Sequence, residues 1–252
     1  MEYLRAHFSL FNATEIMFTG GSSGASAAFQ YSSYLTEYFP KNIKLWAAPD
    51  AGFFIDTYND DYGCYFYRYC IQNMVNKLNM TSNPLYKNCK YSGDEFYKCL
   101  MIEYFYETIE IPVFVIQSQN DYKQLTTLNG VSCIDDGLLT CDAEQYKLIV
   151  KNREHILRNV LKIKRRFPKW GFWLRTCFEH TYHFTWGWYG QTMNAFSAET
   201  LNNSNIQDAL YNWYDNLDNE DYVAPSFIDV IDWKHNPLCH YGTAYQLYTD
   251  YV

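Results

Sequence analysis

Three residues of this chain have types and surroundings suited to acyl transfer. Ser22 lies in Thr19-Gly20-Gly21-Ser22-Ser23-Gly24, Asp121 in Ser118-Gln119-Asn120-Asp121, and His180 in Thr176-Cys177-Phe178-Glu179-His180. A serine hydroxyl is a weak nucleophile at neutral pH, so it needs a base, and the base needs an acid to orient it. Gly20 to Gly24 forms a G-x-S-x-G pattern between the apolar run Ile16-Met17-Phe18 and a small-residue stretch fit for a helix. In that strand–turn–helix context the serine sits on a strained bend, and the glycines let strand and helix pass closely. The frame Gly21-Ser22-Ser23-Gly24-Ala25 would instead make Ser23 the nucleophile. Asp121 also fits a plain turn former, and His180 also fits a buried histidine with a satisfied ring. His180-Thr-Tyr-His183 could form a metal pair, but no third ligand clusters with it, so we expect no metal. His7, His155, His235 and His240 show no comparable placement at a strand end.

Elements able to position these groups can be read in order. Residues 1 to 11 pattern as an amphipathic helix with Leu4, Phe8 and Phe11 on one face, and Gly24 to Phe39 as a helix stopped by Pro40. Lys44 to Ala48 reads as a short buried strand that turns out through Pro49-Asp50-Ala51-Gly52. Ile111 to Gln117, IPVFVIQ, is β-branched and nearly all apolar, as expected of a central parallel strand. Asp142 to Lys164 patterns as a long helix with Tyr146, Ile149, Ile156, Val160 and Ile163 on one face. Trp170 to Leu174 is a further strand candidate, and Asn205 to Tyr214 a closing helix. Alternating strands and helices predict an α/β fold, a mostly parallel sheet flanked by helices. Residues 1–215 read as one such domain, interrupted at about 57–107 by an insertion of short helices held by disulfides. Residues 216–252 read as an acidic, weakly patterned segment that packs only locally. Ser22, Asp121 and His180 each follow a strand, at the sheet edge where ligands and catalytic groups gather.

Composition narrows the function classes. At 252 residues the chain can bury one sizeable core. With a net charge of −8 and one basic cluster, Lys162 to Lys169, at a helix end, nucleic acid is excluded as an expected partner. No run of 18 apolar residues predicts a membrane span. The 25 Tyr and 17 Phe could stack on sugars or line an acyl pocket, but their even spread fits compositional bias. Eight cysteines fall mostly in close pairs, Cys64/Cys70, Cys89/Cys99 and Cys133/Cys141, with Cys177 and Cys239 left over and no C-x-x-C. That usage fits disulfides in an oxidising compartment better than zinc. The sequons at Asn12, Asn79 and Asn202 agree with a secretory route. Met1 to Phe11 lacks the apolar core of a signal peptide, so we expect a secreted protein whose N-terminal part lies upstream of this sequence.

At this point the chain resembles the pectin acetylesterase and Notum family of serine carboxylesterases. TGGSSGASAAF is similar to the family's nucleophile elbow and PDAGFFID to its D-A-G-F-F-L-D segment. IPVFVIQSQNDYKQL resembles its strand ending in an aspartate and TCFEH its histidine loop. Cys133 and Cys141 before a long helix, and Asn212-Trp213-Tyr214 in the closing helix, extend the likeness over residues 1 to 215 in collinear order. The resemblance implies an α/β-hydrolase-like fold with Ser22 as nucleophile, Asp121 as orienting acid, His180 as general base and the Ser23 amide as an oxyanion donor. It implies disulfides Cys89–Cys99, Cys133–Cys141 and Cys177–Cys239, which leaves Cys64–Cys70 by subtraction. The implied substrates are O-acetyl esters on polysaccharide or a fatty acyl ester on a protein, hydrolysed without a cofactor. A truncated relative that binds glycan without catalysis is the contrasting expectation, because the family's early glycine-rich segment with further oxyanion donors would lie upstream of Met1. Ala25, where the family has glycine, puts the exit geometry of the elbow in question.

Overall fold

A computed structural model describes residues 12–59, 61–134, 140–182, 200–201, 204–236 and 239. The helix expected at 1–11 lies outside the described residues, as do His183, Asn202 and His240. Five parallel strands form the central sheet in the order β1–β2–β3–β4–β7. They are β1 (Glu15–Gly21), β2 (Lys44–Asp50), β3 (Phe114–Ser118), β4 (Gly171–Arg175) and β7 (Ser226–Ile228). Between β4 and β7 the chain makes a two-residue antiparallel ladder, β5 (Thr200–Leu201) with β6 (Ser204–Asn205). The helices are α1 (Ser23–Tyr38), α2 (Phe66–Lys77), the single turn α3 (Ile102–Phe105), α4 (Ala143–Arg166) and α5 (Ile206–Asp215).

The continuous apolar run of β3 is explained by cover on both faces of the sheet. Val113, Val115, Phe172 and Leu174 face one core, packed with Phe29 of α1 and Ile156, Val160 and Ile163 of α4. Phe114, Ile116 and Trp173 face the other, packed with Ile206, Ala209 and Trp213 of α5. Trp46 of β2 meets Trp213 edge-on, at 5.7 Å between ring centroids. α4 starts at a capping box in which the Asp142 carboxylate accepts from the Gln145 amide and the Gln145 side chain from the Asp142 amide. Lys164, Arg165 and Arg166 occupy its last turn. Lys164 turns inward and donates to the carbonyls of Pro168 and Trp170, at 3.1 and 3.0 Å. Its burial lowers the ammonium pKa to about 8.

The stretch between β2 and β3 has its own small core of Ile71, Val75, Phe96, Tyr97, Leu100 and Met101. It is held by α2, short 3₁₀ turns and the disulfide Cys89–Cys99. Two expectations are corrected. Cys64 and Cys70 are free thiols. Cys64 is fixed in a bridge with Asn59 before α2 begins, whereas Cys70 lies on the exposed side of α2. The segment after residue 215 does not pack only locally. Ser226–Ile228 adds a parallel strand beside β4, and Trp233 packs against Phe178 at 5.0 Å. Three residues are too few to show a periodic pattern, so this strand is defined by its neighbour.

Candidate active site

Ser22, Asp121 and His180 lie beyond the C-terminal ends of the parallel strands β1, β3 and β4, with β2 between the first and the second. Gly21 pairs with Asp50, Asp50 with Ile116, and Ser118 with Arg175, so these strand ends form one rim. Ser22 follows β1 directly and holds a left-handed conformation, φ 56°. A non-glycine residue there costs about 1–2 kcal/mol. The bend survives because backbone contacts fix it: the Ser22 amide donates to the Asp50 carbonyl at 2.9 Å, and the Ser22 carbonyl accepts from Ala25 and Ser26 at 3.0 and 3.1 Å.

Two glycines make room for that turn. A Cβ on Gly20 would sit 2.6 Å from the carbonyl group of Gly24, and one on Gly52 would sit 2.4 Å from the Ala25 Cβ. The end of β1, the first turn of α1 and the turn after β2 therefore touch backbone to backbone. Ala25 is buried inside α1. Its backbone is ordinary helix, so the family's glycine is not needed at this position for conformational freedom. The Ser23 amide, at the first position of α1, has no acceptor within the helix, and the positive end of the helix dipole lies there.

Asp121 and His180 meet at the centre of the sheet. His180 Nδ1 lies 3.0 and 2.9 Å from the two oxygens of Asp121. Asp121 is fully buried and His180 nearly so, at 7 % exposure. The carboxylate has two further donors, Gln117 Nε2 at 2.9 Å and the Gln124 amide at 2.9 Å. Both glutamines also tie down the segment leaving β2. Gln117 Oε1 accepts from the Phe53 amide at 3.0 Å, and the Gln124 amide group exchanges two bonds of 3.1 Å with the backbone of Ile55. Gln124 opens a π-type turn closed by the Asn129 amide on the Gln124 carbonyl at 3.0 Å.

That segment places Phe54 against the histidine, with ring centroids 6.1 Å apart and planes at 27°. Ser22 and His180 line one cavity of about 360 Å³ together with Phe54, Tyr67, Leu128 and Thr181. Lys123 and Thr127 also contribute to its wall, and Ser23 does not. Burial pushes the Tyr67 hydroxyl up to about 12, partly offset by its hydrogen bond to Ser26, so the phenol is neutral at working pH. Next along that segment, Asp56 is held by Arg68 Nε at 2.9 Å and Tyr104 at 3.1 Å, and its amide donates to Glu103. Desolvation raises the Asp56 pKa, against the lowering effect of the Arg68 bond.

The structure thus brings Ser22, Asp121 and His180 to one sheet edge, with the histidine bonded to the aspartate and lining the serine's cavity. Asp121 also acts as the turn former its type allowed, capping the turn that follows it. Trp173, near His180 in sequence, is core, and Phe178 packs on Trp233. Sequence reasoning missed Gln117, Gln124, Phe54 and Tyr67. Asp121-x-x-Gln124 is a readable capping signal; nothing local distinguishes Gln117. The disulfides Cys89–Cys99, Cys133–Cys141 and Cys177–Cys239 are formed. Among the described residues no group of three or more His, Cys, Asp or Glu is arranged to hold a metal ion.

Comparison with known proteins identifies the family. The family model described as Pectinacetylesterase matches residues 1–240. Pectin acetylesterase 11 of Arabidopsis thaliana is 23 % identical over 239 residues, covering 90 % of this chain and 57 % of the relative. Pectin acetylesterase 5 of the same plant is 22 % identical over 238 residues, covering 91 % and 52 %. The chain spans about half the length of the curated relatives it matches. With the family model covering nearly its whole length, the chain belongs to the pectinacetylesterase family.

Proposed function

We propose that this pectinacetylesterase-family chain is a serine carboxylesterase that removes O-acetyl groups from polysaccharide through Ser22, His180 and Asp121. The observation that carries the proposal is the buried bond of His180 Nδ1 to Asp121, 2.9 Å, on a cavity whose wall includes Ser22. That bond fixes the imidazole tautomer, so that Nε2 is the free base and the carboxylate stabilises the imidazolium that forms.

In the first half-reaction His180 Nε2 takes the Ser22 proton as Oγ attacks the acetyl carbonyl. The oxyanion of the tetrahedral intermediate is met by the Ser23 amide at the positive end of α1. The intermediate collapses with cleavage of the ester C–O bond, and His180 gives its proton to the departing sugar hydroxyl. In the second half water adds to the acetyl-serine, His180 takes the water's proton, and acetate leaves as the proton returns to Ser22 Oγ. These steps call on no metal or organic cofactor.

Three disulfides support an oxidising, secretory environment, and Asn12 and Asn79 are exposed as glycan acceptors would be. No helix among the described residues is long and apolar enough to cross a membrane. The test compares the protein with Ser22→Ala on p-nitrophenyl acetate, on the octanoyl ester and on acetylated pectin. The expected result is hydrolysis of the acetyl ester and of pectin that the variant loses. Equal rates for the two proteins would sink the esterase reading. Preference for octanoate with no acetate released from pectin would replace polysaccharide by a lipid-acylated substrate.

A further inference from the structure

An ester small enough for the cavity is attached to a polymer that is not, so the sugars flanking the acetylated one must lie on the surface beside the opening. The loop before α2, which is bonded to the cavity wall, carries exposed rings. Tyr58, Tyr62 and Tyr65 are exposed, Tyr62 the most at 63 %. They are held as ring pairs: Tyr62 stacks on Phe66 with centroids 4.4 Å apart and planes at 15°, and Tyr58 meets Tyr65 edge-on at 5.4 Å. The Arg68 guanidinium lies 4.1 Å from the Tyr65 ring centroid. The loop carrying them is pinned by the paired backbone bonds of Asn59 with Cys64.

Two contacts join this patch to the cavity. Asn59 Nδ2 donates to the carbonyl of Leu128, a residue of the cavity wall, at 3.0 Å. Tyr67, next along α2, lines the cavity and packs on Phe54 at 5.5 Å, and Phe54 packs on His180. We propose that Tyr58, Tyr62, Tyr65 and Phe66 form a sugar-stacking subsite that holds the pyranose rings next to the esterified one. This inference rests on the polysaccharide reading above. A pyranose offers an apolar C–H face rimmed by hydroxyls; a tyrosine offers an apolar ring with a hydroxyl at its tip, so both halves of the contact are matched. Rings fixed by neighbouring rings lose little freedom on binding, which favours affinity.

The experiment uses Tyr58→Ala/Tyr62→Ala, with Tyr211→Ala, an exposed tyrosine of α5, as control. Each is assayed on p-nitrophenyl acetate and acetylated pectin, and its retention on acetylated pectin gels is measured with Ser22→Ala added. We expect KM on pectin to rise about tenfold, the order of one lost aromatic contact, with p-nitrophenyl acetate turnover unchanged and gel retention lost. The control should match the parent. If the parent cleaves pectin and the double variant cleaves and binds it equally well, the subsite is refuted and the esterase reading stands. If the parent neither cleaves nor binds pectin, both fail. If instead the double variant loses a self-association visible by light scattering while pectin kinetics hold, the rings belong to a contact between chains and the subsite is refuted.

Discussion

The nucleophile and its base–acid pair are secured by opposite means. Ser22 sits past the edge strand of the described sheet, where Met17 is 44 % exposed, and is held by backbone alone: a left-handed φ, three main-chain bonds and glycines that admit no Cβ. Asp121 and His180 follow the central strands β3 and β4 in full burial, and side chains hold them. Two glutamines reach from the aspartate to the backbone at Phe53 and Ile55, and Phe54 packs on the imidazole. A bend stores strain and tolerates little change of size. A buried hydrogen-bonded pair is sensitive to chemistry and tolerates shape. The two halves of the site should therefore fail differently.

The largest effect expected after loss of Ser22 itself is from Asp121→Asn, which leaves the shape and removes the charge and tautomer control. Turnover of p-nitrophenyl acetate should fall about 10⁴-fold, with a stability loss of about 1–3 kcal/mol because the Asn amide group opposes the donors on Gln117 and Gln124. A fall below tenfold would mean that the pair does not serve as orienting acid and base. Gly20→Ala tests the other half: its Cβ meets the Gly24 backbone, so the elbow must shift. A displacement on the order of 1 Å costs about 10²-fold in turnover, and thermal melting should show a loss of stability as well. Wild-type kinetics in this variant would show that the close approach is not needed.

Gln117→Leu removes one donor from Asp121 and strands the Phe53 amide. A stability loss of about 1–3 kcal/mol is expected by urea titration, with turnover falling more than KM changes; a change in KM alone would move Gln117 from positioning to binding. The smallest effect on stability belongs to Ser22→Gly. It should abolish activity yet raise stability by up to about 1 kcal/mol, because glycine holds φ 56° without strain. A drop in melting temperature would mean that the serine side chain, not backbone tension, dominates at the bend.

This contrast also explains what the sequence made legible. The elbow is a local device, and local devices leave local marks: Gly20, Ser22 and Gly24 are adjacent in the chain. The strands Lys44–Asp50, Phe114–Ser118 and Gly171–Arg175 and the helix Ala143–Arg166 were readable to within a few residues because burial on both faces demands unbroken apolar runs and one-sided stripes. Beyond the Asp121-x-x-Gln124 cap, the support around Asp121 was not legible, since the Gln117 and Gln124 side chains also act on residues 64 and 69 positions away. A glutamine at a strand end looks the same whether it faces water or holds a catalytic carboxylate. The strand Ser226–Ile228 was missed for the same reason, being specified by the edge of β4 that it joins. For Cys64 and Cys70, proximity in sequence misled, because a bridge residue ahead of a helix and a residue on the helix's exposed side need not bring their sulfurs together.

The bond between Cys177 and Cys239 closes a sequence separation of 62 residues, and Cys177 stands three positions before His180. The carbonyl of Cys177 also accepts from the Ser118 hydroxyl at the end of β3. A crosslink over that span restrains the unfolded chain by about 4 kcal/mol. The crosslink ties the loop that carries the base to the C-terminal segment, so reduction should loosen that loop and leave the elbow, which backbone contacts hold, in place.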